Sequence, residues 1–95
     1  MSIEHTHEFA FNSMSDDPPS YSDAAKAYEA LADHAGTRSD ASHYYTMAAI
    51  AFRLAGDRDR SMQNGMFAKN FADDKETRYG IIATLQRVDD IMRTQ

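Results

Sequence analysis

A glycine–aspartate pair interrupts the most apolar stretch of the chain. Residues 50–62 read IAFRLAGDRDRSM: an apolar run stops at Gly56, and Asp57 opens a stretch of alternating charge. Glycine ends a helix at low steric cost, because it adopts the left-handed backbone that a C-terminal cap requires. Aspartate caps the start of a helix through its side-chain oxygen. The pair therefore predicts two helices joined by a turn of a few residues, which must lie antiparallel and adjacent. The helix before the turn, SDASHYYTMAAIAFRLAGD, is apolar almost all round. Such a helix is buried on every side, so it is predicted to be central, with neighbours on at least two faces. Ser39 or Asp40 is its expected cap.

The other segments read the same way. In YSDAAKAYEALADHAG, Ala24, Tyr28, Leu31 and Ala35 recur at helical spacing. Ser22 is the expected N-cap there, and Gly36 the expected left-handed C-cap. After Asp57, the residues Met62, Met66, Phe67, Ala68 and Phe71 form an apolar stripe. Gly65 sits inside that stripe at a cost of about 1 kcal/mol against alanine, which a close helix crossing explains. Asp73 or Asp74 caps a last helix, in which Tyr79, Ile82, Leu85, Val88 and Met92 recur every three or four residues. Residues 1–19 stand apart. SIEHTHEFAF alternates and SMSDDPPS is turn-rich, with Pro18 and Pro19 barring helix. The expected organisation is an arm over 1–19, extended or disordered, and one helical domain over 20–95.

Composition narrows the function. Ninety-five residues suit one domain, and the absence of cysteine excludes a disulfide scaffold or a thiolate metal site. No segment approaches the ~20 apolar residues that span a bilayer, and MSIEHTHEF lacks the basic start and apolar run of a signal peptide. A cytoplasmic location without membrane contact is the expectation. The net charge is −5, and it is uneven. Residues 1–40 carry eight acids (Glu4, Glu8, Asp16, Asp17, Asp23, Glu29, Asp33, Asp40) against Lys26 and Arg38. This front half repels phosphate backbones, which argues against direct nucleic-acid binding and fits a partner with a basic surface.

A repeat runs through the second half. Tyr45 and Tyr79 lie 34 residues apart and open the similar stretches YTMAAIAF and YGIIATLQ. Tyr45, a small residue at Ala49, an aromatic at Phe52, the turn at Gly56, then small residues at Ser61 and Ala68 make up a helix–turn–helix unit. In period and in these positions the unit resembles the tetratricopeptide repeat family. Residues 42–75 cover one full repeat, with half-repeats on either side. The chain departs from the family at Gly65, where an aromatic is usual, and at Asp73, where proline is usual. The helical spacing predicts an all-α fold of four antiparallel helices; the resemblance implies that they form a tetratricopeptide-like hairpin array, the alternative being a small four-helix bundle.

No motif carries chemistry. There is no GxSxG elbow, no glycine-rich phosphate loop and no helical ExxH pattern. His5 and His7 could chelate a divalent metal from an extended segment. Two histidines in such a segment more often have no metal role, and no metal or other cofactor is expected. His34 and His43 read as surface or capping residues. Met47, Met62 and Met66 fall near one another in the hairpin; they read as core filler ahead of an adaptable binding surface. The expected activity is non-enzymatic: a protein–protein interaction module that holds its partner in a helical groove or on an exposed helix face. Tyr28, Tyr44, Arg53 and Arg60 are the expected exposed contacts, since aromatics and arginine anchor interfaces. Self-association as a homodimer is open to a short solenoid without a polar capping helix. A second reading is a small acidic inhibitor that mimics nucleic acid, with Asp16, Asp17, Asp23, Glu29, Asp33 and Asp40 standing in for phosphates.

Overall fold

The computed structural model describes residues 20–94. The arm expected over 1–19, with His5, His7, Asp16 and Asp17, lies outside the described residues. Four helices follow in order: α1 (Tyr21–Asp33), α2 (Arg38–Leu54), α3 (Arg58–Phe71) and α4 (Lys75–Arg93). No strand occurs among the described residues, so the all-α fold of four helices holds.

The turn at Gly56 forms as its sequence requires. Gly56 has φ 85°, the sole left-handed backbone among the described residues. The Asp57 N–H donates to Phe52 O at 2.9 Å and the Gly56 N–H to Arg53 O at 3.1 Å. Together these bonds satisfy carbonyls that the end of α2 would otherwise orphan. Asp57 then caps α3, its side chain accepting from the Arg60 N–H. Asp74 caps α4 by accepting from the Thr77 N–H at 2.7 Å. That bond, chiefly, holds the Asp74 carboxyl below its ordinary value.

Three expected caps are corrected. The residue before α1 is Ser20, whose hydroxyl donates to Asp23 at 2.6 Å, while Ser22 lies inside the helix. Thr37, not Ser39 or Asp40, caps α2 by accepting from the Asp40 N–H at 3.0 Å. Gly36 is not left-handed: α1 already ends at Asp33, and the Ala35 N–H closes it on Ala32 O.

The core is built from alanine. Of sixteen buried hydrophobic residues, ten are alanine; the rest are Tyr28, Leu31, Tyr45, Phe52, Ile81 and Leu85. Small side chains let helix axes approach, and two serines use that closeness. Ser42 on α2 donates to Ala68 O on α3 at 2.8 Å, and Ser61 on α3 donates to Ala49 O on α2 at 2.7 Å. Both serines are buried. Residues 42 and 68 sum to 110, and so do 61 and 49. The two bonds therefore share one antiparallel register, with the Gly56 turn at its fold.

Two apolar clusters result. One lies between α1 and α2, around Tyr28, Leu31 and Phe52. The other gathers Ala32, Tyr45, Ala49, Ala68, Ile81 and Leu85 from all four helices. Helix α2 packs along both α1 and α3, as its all-round apolarity predicts, and α4 rests on α2 and α3. Helices α1 and α4 make no substantial contact, so the four form an open stack and not a closed ring. Gly65 serves the α3–α4 crossing: a Cβ there would stand 3.1 Å from Leu85 Cδ1.

Two glycines should respond in opposite ways. Gly56→Ala forces an L side chain into the left-handed region and should lower unfolding free energy by about 1–2 kcal/mol. Gly36→Ala meets nothing within 4 Å and has no positive φ. It should be neutral or stabilise by up to about 1 kcal/mol, through a less disordered unfolded state. Paired thermal and urea denaturation of the two variants checks both.

Candidate functional site: the outer face of the third and fourth helices

Large apolar side chains are exposed on only half of the described structure. Met62, Met66 and Phe67 on α3, and Tyr79, Ile82 and Ile91 on α4, are 39–67% exposed. Helices α1 and α2 expose none of this size. Single exposed apolar residues are ordinary; a set confined to two adjoining helices marks a surface that meets something. The cause lies in the stack. Helix α4 buries Ile81 and Leu85, and no other described element covers its outer flank.

Within this face a groove of about 410 Å³ runs between α3 and α4. Gly65 and Leu85 reach it from below. Met62 and Met66 form the α3 wall, with Ile82 and Gln86 on the α4 wall. Lys69 stands at one end, and Arg53, Asp89 and Arg93 at the other. The absent side chain at Gly65 creates the depression, since any larger residue would meet Leu85. The two methionines also border a second hollow on α3, shared with Arg60, Gln63 and Phe67. They thus form a ridge with a recess on each side.

The expected contact residues fall elsewhere. Tyr28 is 2% exposed and lies in the α1–α2 core, so its expected exposure is corrected. Its position on the apolar stripe of α1 put it there. Burial first, and then the neighbouring Tyr44, raises its phenol pKa. Tyr44 is half-buried, packed against both clusters and tilted on His43 at 5.5 Å. Arg53 is not an exposed contact either, with a side chain 13% exposed. It donates to Leu85 O at 3.0 Å and pairs with Asp89 at 3.4 Å, clamping α4 to the end of α2. Arg60 is exposed, and its guanidinium lies 5.7 Å from the Phe52 ring centroid. Of the four, Arg60 alone borders the methionine ridge, while Arg53 closes one end of the groove from beneath. The methionines read as core filler, Met62 and Met66, are 61% and 58% exposed, and only Met47 packs against the core. The sequence signal for them was present: Met62 and Met66 flank Gly65 on a helix with few other apolar residues.

Of the four described acids of the front half, three are engaged within the protein. Glu29 accepts from Asn64 Nδ2 at 2.9 Å, which ties α1 to α3. Asp33 accepts from the Tyr45 hydroxyl at 2.8 Å. Asp23 accepts from Ser20, and Asp40 is exposed. Among the described residues no group of three or more His, Asp or Glu side chains is placed to hold a metal ion. No described helix is long and apolar enough to cross a membrane. Asn64 is fully buried, with its Oδ1 lacking a hydrogen-bond partner, and it faces α1 and not the groove.

Two measurements follow from these contacts. Burial, the bond to Asp33, and the charges of Asp33 and Glu29 push Tyr45 up to about 12. A phenol whose pKa is raised by folding stabilises the native state below its ordinary value of 10.0 and loses that contribution as pH climbs towards about 12. Wild-type stability should fall across this alkaline window. Tyr45→Phe should flatten the fall, at a cost of about 1 kcal/mol at neutral pH. Separately, Arg53→Met should take the donor from Leu85 O and the neighbouring cation from Asp89, and cost about 1–3 kcal/mol. Amide hydrogen exchange should then quicken in α4 while α1 and the body of α2 stay protected. No protein-family model matches the chain, and it has no match among curated proteins or solved structures.

Proposed function

We propose that this chain is a non-enzymatic docking module that holds a partner protein on the outer face of α3 and α4. The observation that carries the reading is the groove in which the exposed Met62, Met66 and Ile82 gather, on the two helices that carry all six of the exposed large apolar side chains described. Methionine suits the task because its unbranched, polarisable side chain adapts to what it meets. Ile82 offers a firmer apolar contact beside it. The scaffold supports the same reading. We take α2–α3 as one tetratricopeptide-like hairpin between two half-repeats, with the small residues Ser61 and Ala68 in its seam. In an open stack the last helix keeps one flank free, which suits the docking of another polypeptide.

The nucleic-acid mimic is less well supported. Of the four acids it needs among the described residues, Asp23, Glu29 and Asp33 already accept hydrogen bonds from within the protein. Charge and salt separate the two readings. A mimic loses its target on neutralising the acids and with rising salt, whereas apolar docking fails on substituting the ridge.

The decisive experiment compares captures from the native host with wild-type and variant chains. Met66→Glu combined with Ile82→Glu should weaken the partner by about 2 kcal/mol or more, roughly 30-fold. Stability should change by no more than about 0.5 kcal/mol, because both positions are exposed. A partner retained by this variant but lost on changing Asp23, Asp33 and Asp40 to Asn would replace the docking reading with the mimic.

A further inference from the structure

We infer that the α3–α4 groove accepts an acidic segment of a partner protein, which inserts apolar side chains between its walls; this rests on the docking role proposed for that face. The chain is acidic overall, at −5, yet the groove is not. Its ends carry Lys69, Arg53 and Arg93 against Asp89. Arg58 joins Arg53 and Arg93 in the recess that continues from one end. Arg53 and Asp89 offset each other at 3.4 Å with both side chains largely shielded, which leaves Lys69 at one end and Arg93 at the other as the groove's outstanding charges. Arg93 meets Asp90 at 3.8 Å with both side chains mostly in water, a pair that contributes little. Among the described residues, Arg58 and Lys69 enter no ion pair. An apolar trough with a cation at either end fits a segment with apolar side chains at its centre and carboxylates beside them. Rim charges of this kind steer encounter and fix register, while the apolar centre holds the complex.

The same arrangement disfavours a second copy bound face to face. In a two-fold dimer this patch meets itself. Both ends of the groove are positive, so either direction of pairing sets cation against cation. A basic partner surface, expected from the acids of the front half, is disfavoured here for the same reason.

The test uses the full chain, labelled at its methionine methyl groups, and two synthetic amphipathic peptides of equal length. One is built from Glu and Leu; the other has Lys in place of every Glu. The Glu–Leu peptide should shift the methyl signals of Met62 and Met66 and leave that of Met47, with binding about tenfold weaker in high salt. Lys69→Glu with Arg93→Glu should weaken it about tenfold and turn the preference towards the Lys–Leu peptide. Equal or tighter binding of the Lys–Leu peptide to the wild type would overturn the inference while leaving the docking face intact. So would a preference that the charge-reversed variant fails to turn. Shifts of Met62 and Met66 on Phe9→Ala with Phe11→Ala, peptide absent, would show the chain's own N-terminal residues as the occupant, against the inference. Concentration-dependent association removed by Ile82→Glu would show a second copy there, with the same consequence. If neither peptide moves Met62 or Met66, the inference fails, and the capture experiment judges the docking role on its own.

Discussion

The structure depends on how closely α2 and α3 approach. Ala49 on α2 and Ala68 on α3 are fully buried in the cluster the two helices share, and neither is large enough to hold the helices apart. Two serine hydroxyls cross the narrow seam in opposite directions, each reaching a backbone carbonyl on the other helix. A buried hydroxyl without a partner would be costly, and one that finds a carbonyl is not. The bonds thus discriminate as much as they stabilise. A slip of one residue would carry both donors away from their acceptors and turn the alanines out of the seam.

The remaining architecture follows from that hairpin. Its α2 side receives α1, which brings Tyr28 and Leu31 over Phe52. Its other edge receives α4, held by two features that small residues or long polar ones supply. Gly65 lets Leu85 settle close to the α3 backbone. Arg53 reaches from α2 to a carbonyl and a carboxylate of α4. This attachment uses one flank of α4, so Ile82 remains outside beside the methionines of α3, and Tyr79 is exposed nearer the start of the helix. The candidate site is therefore a by-product of stacking: among the described residues no element packs on the far side of α4.

Several details escaped the sequence for physical reasons. Ser22 and Ser20 are equally good caps in isolation, as are Thr37, Ser39 and Asp40. Which of them acts depends on where the chain enters the helix, and tertiary packing sets that. Gly36 resembled a cap because glycine so often is one, yet α1 had already closed at His34. Tyr28 lay on the apolar stripe and was expected outside only because aromatics anchor interfaces. Burial won because α1 has little else of that size to place against α2. Arg53 was expected outside because arginine, too, anchors interfaces. Its long side chain instead bridges to a residue 32 positions away in sequence, which spacing along one helix does not reveal.

The sequence by itself determined the four helices, the reversal at Gly56, the cap at Asp57, a second cap within the Asp73–Asp74 pair, and the central place of α2. Each is a local property: a backbone angle only glycine adopts freely, a side-chain oxygen beside unpaired N–H groups, an apolar period. Tertiary structure alone decided which apolar residues lie inside. Periodicity assigns a face to a helix, but only neighbours decide whether that face is covered. Met62, Met66 and Ile82 carry the same pattern as Leu31 or Leu85 and differ from them in having no helix on the far side.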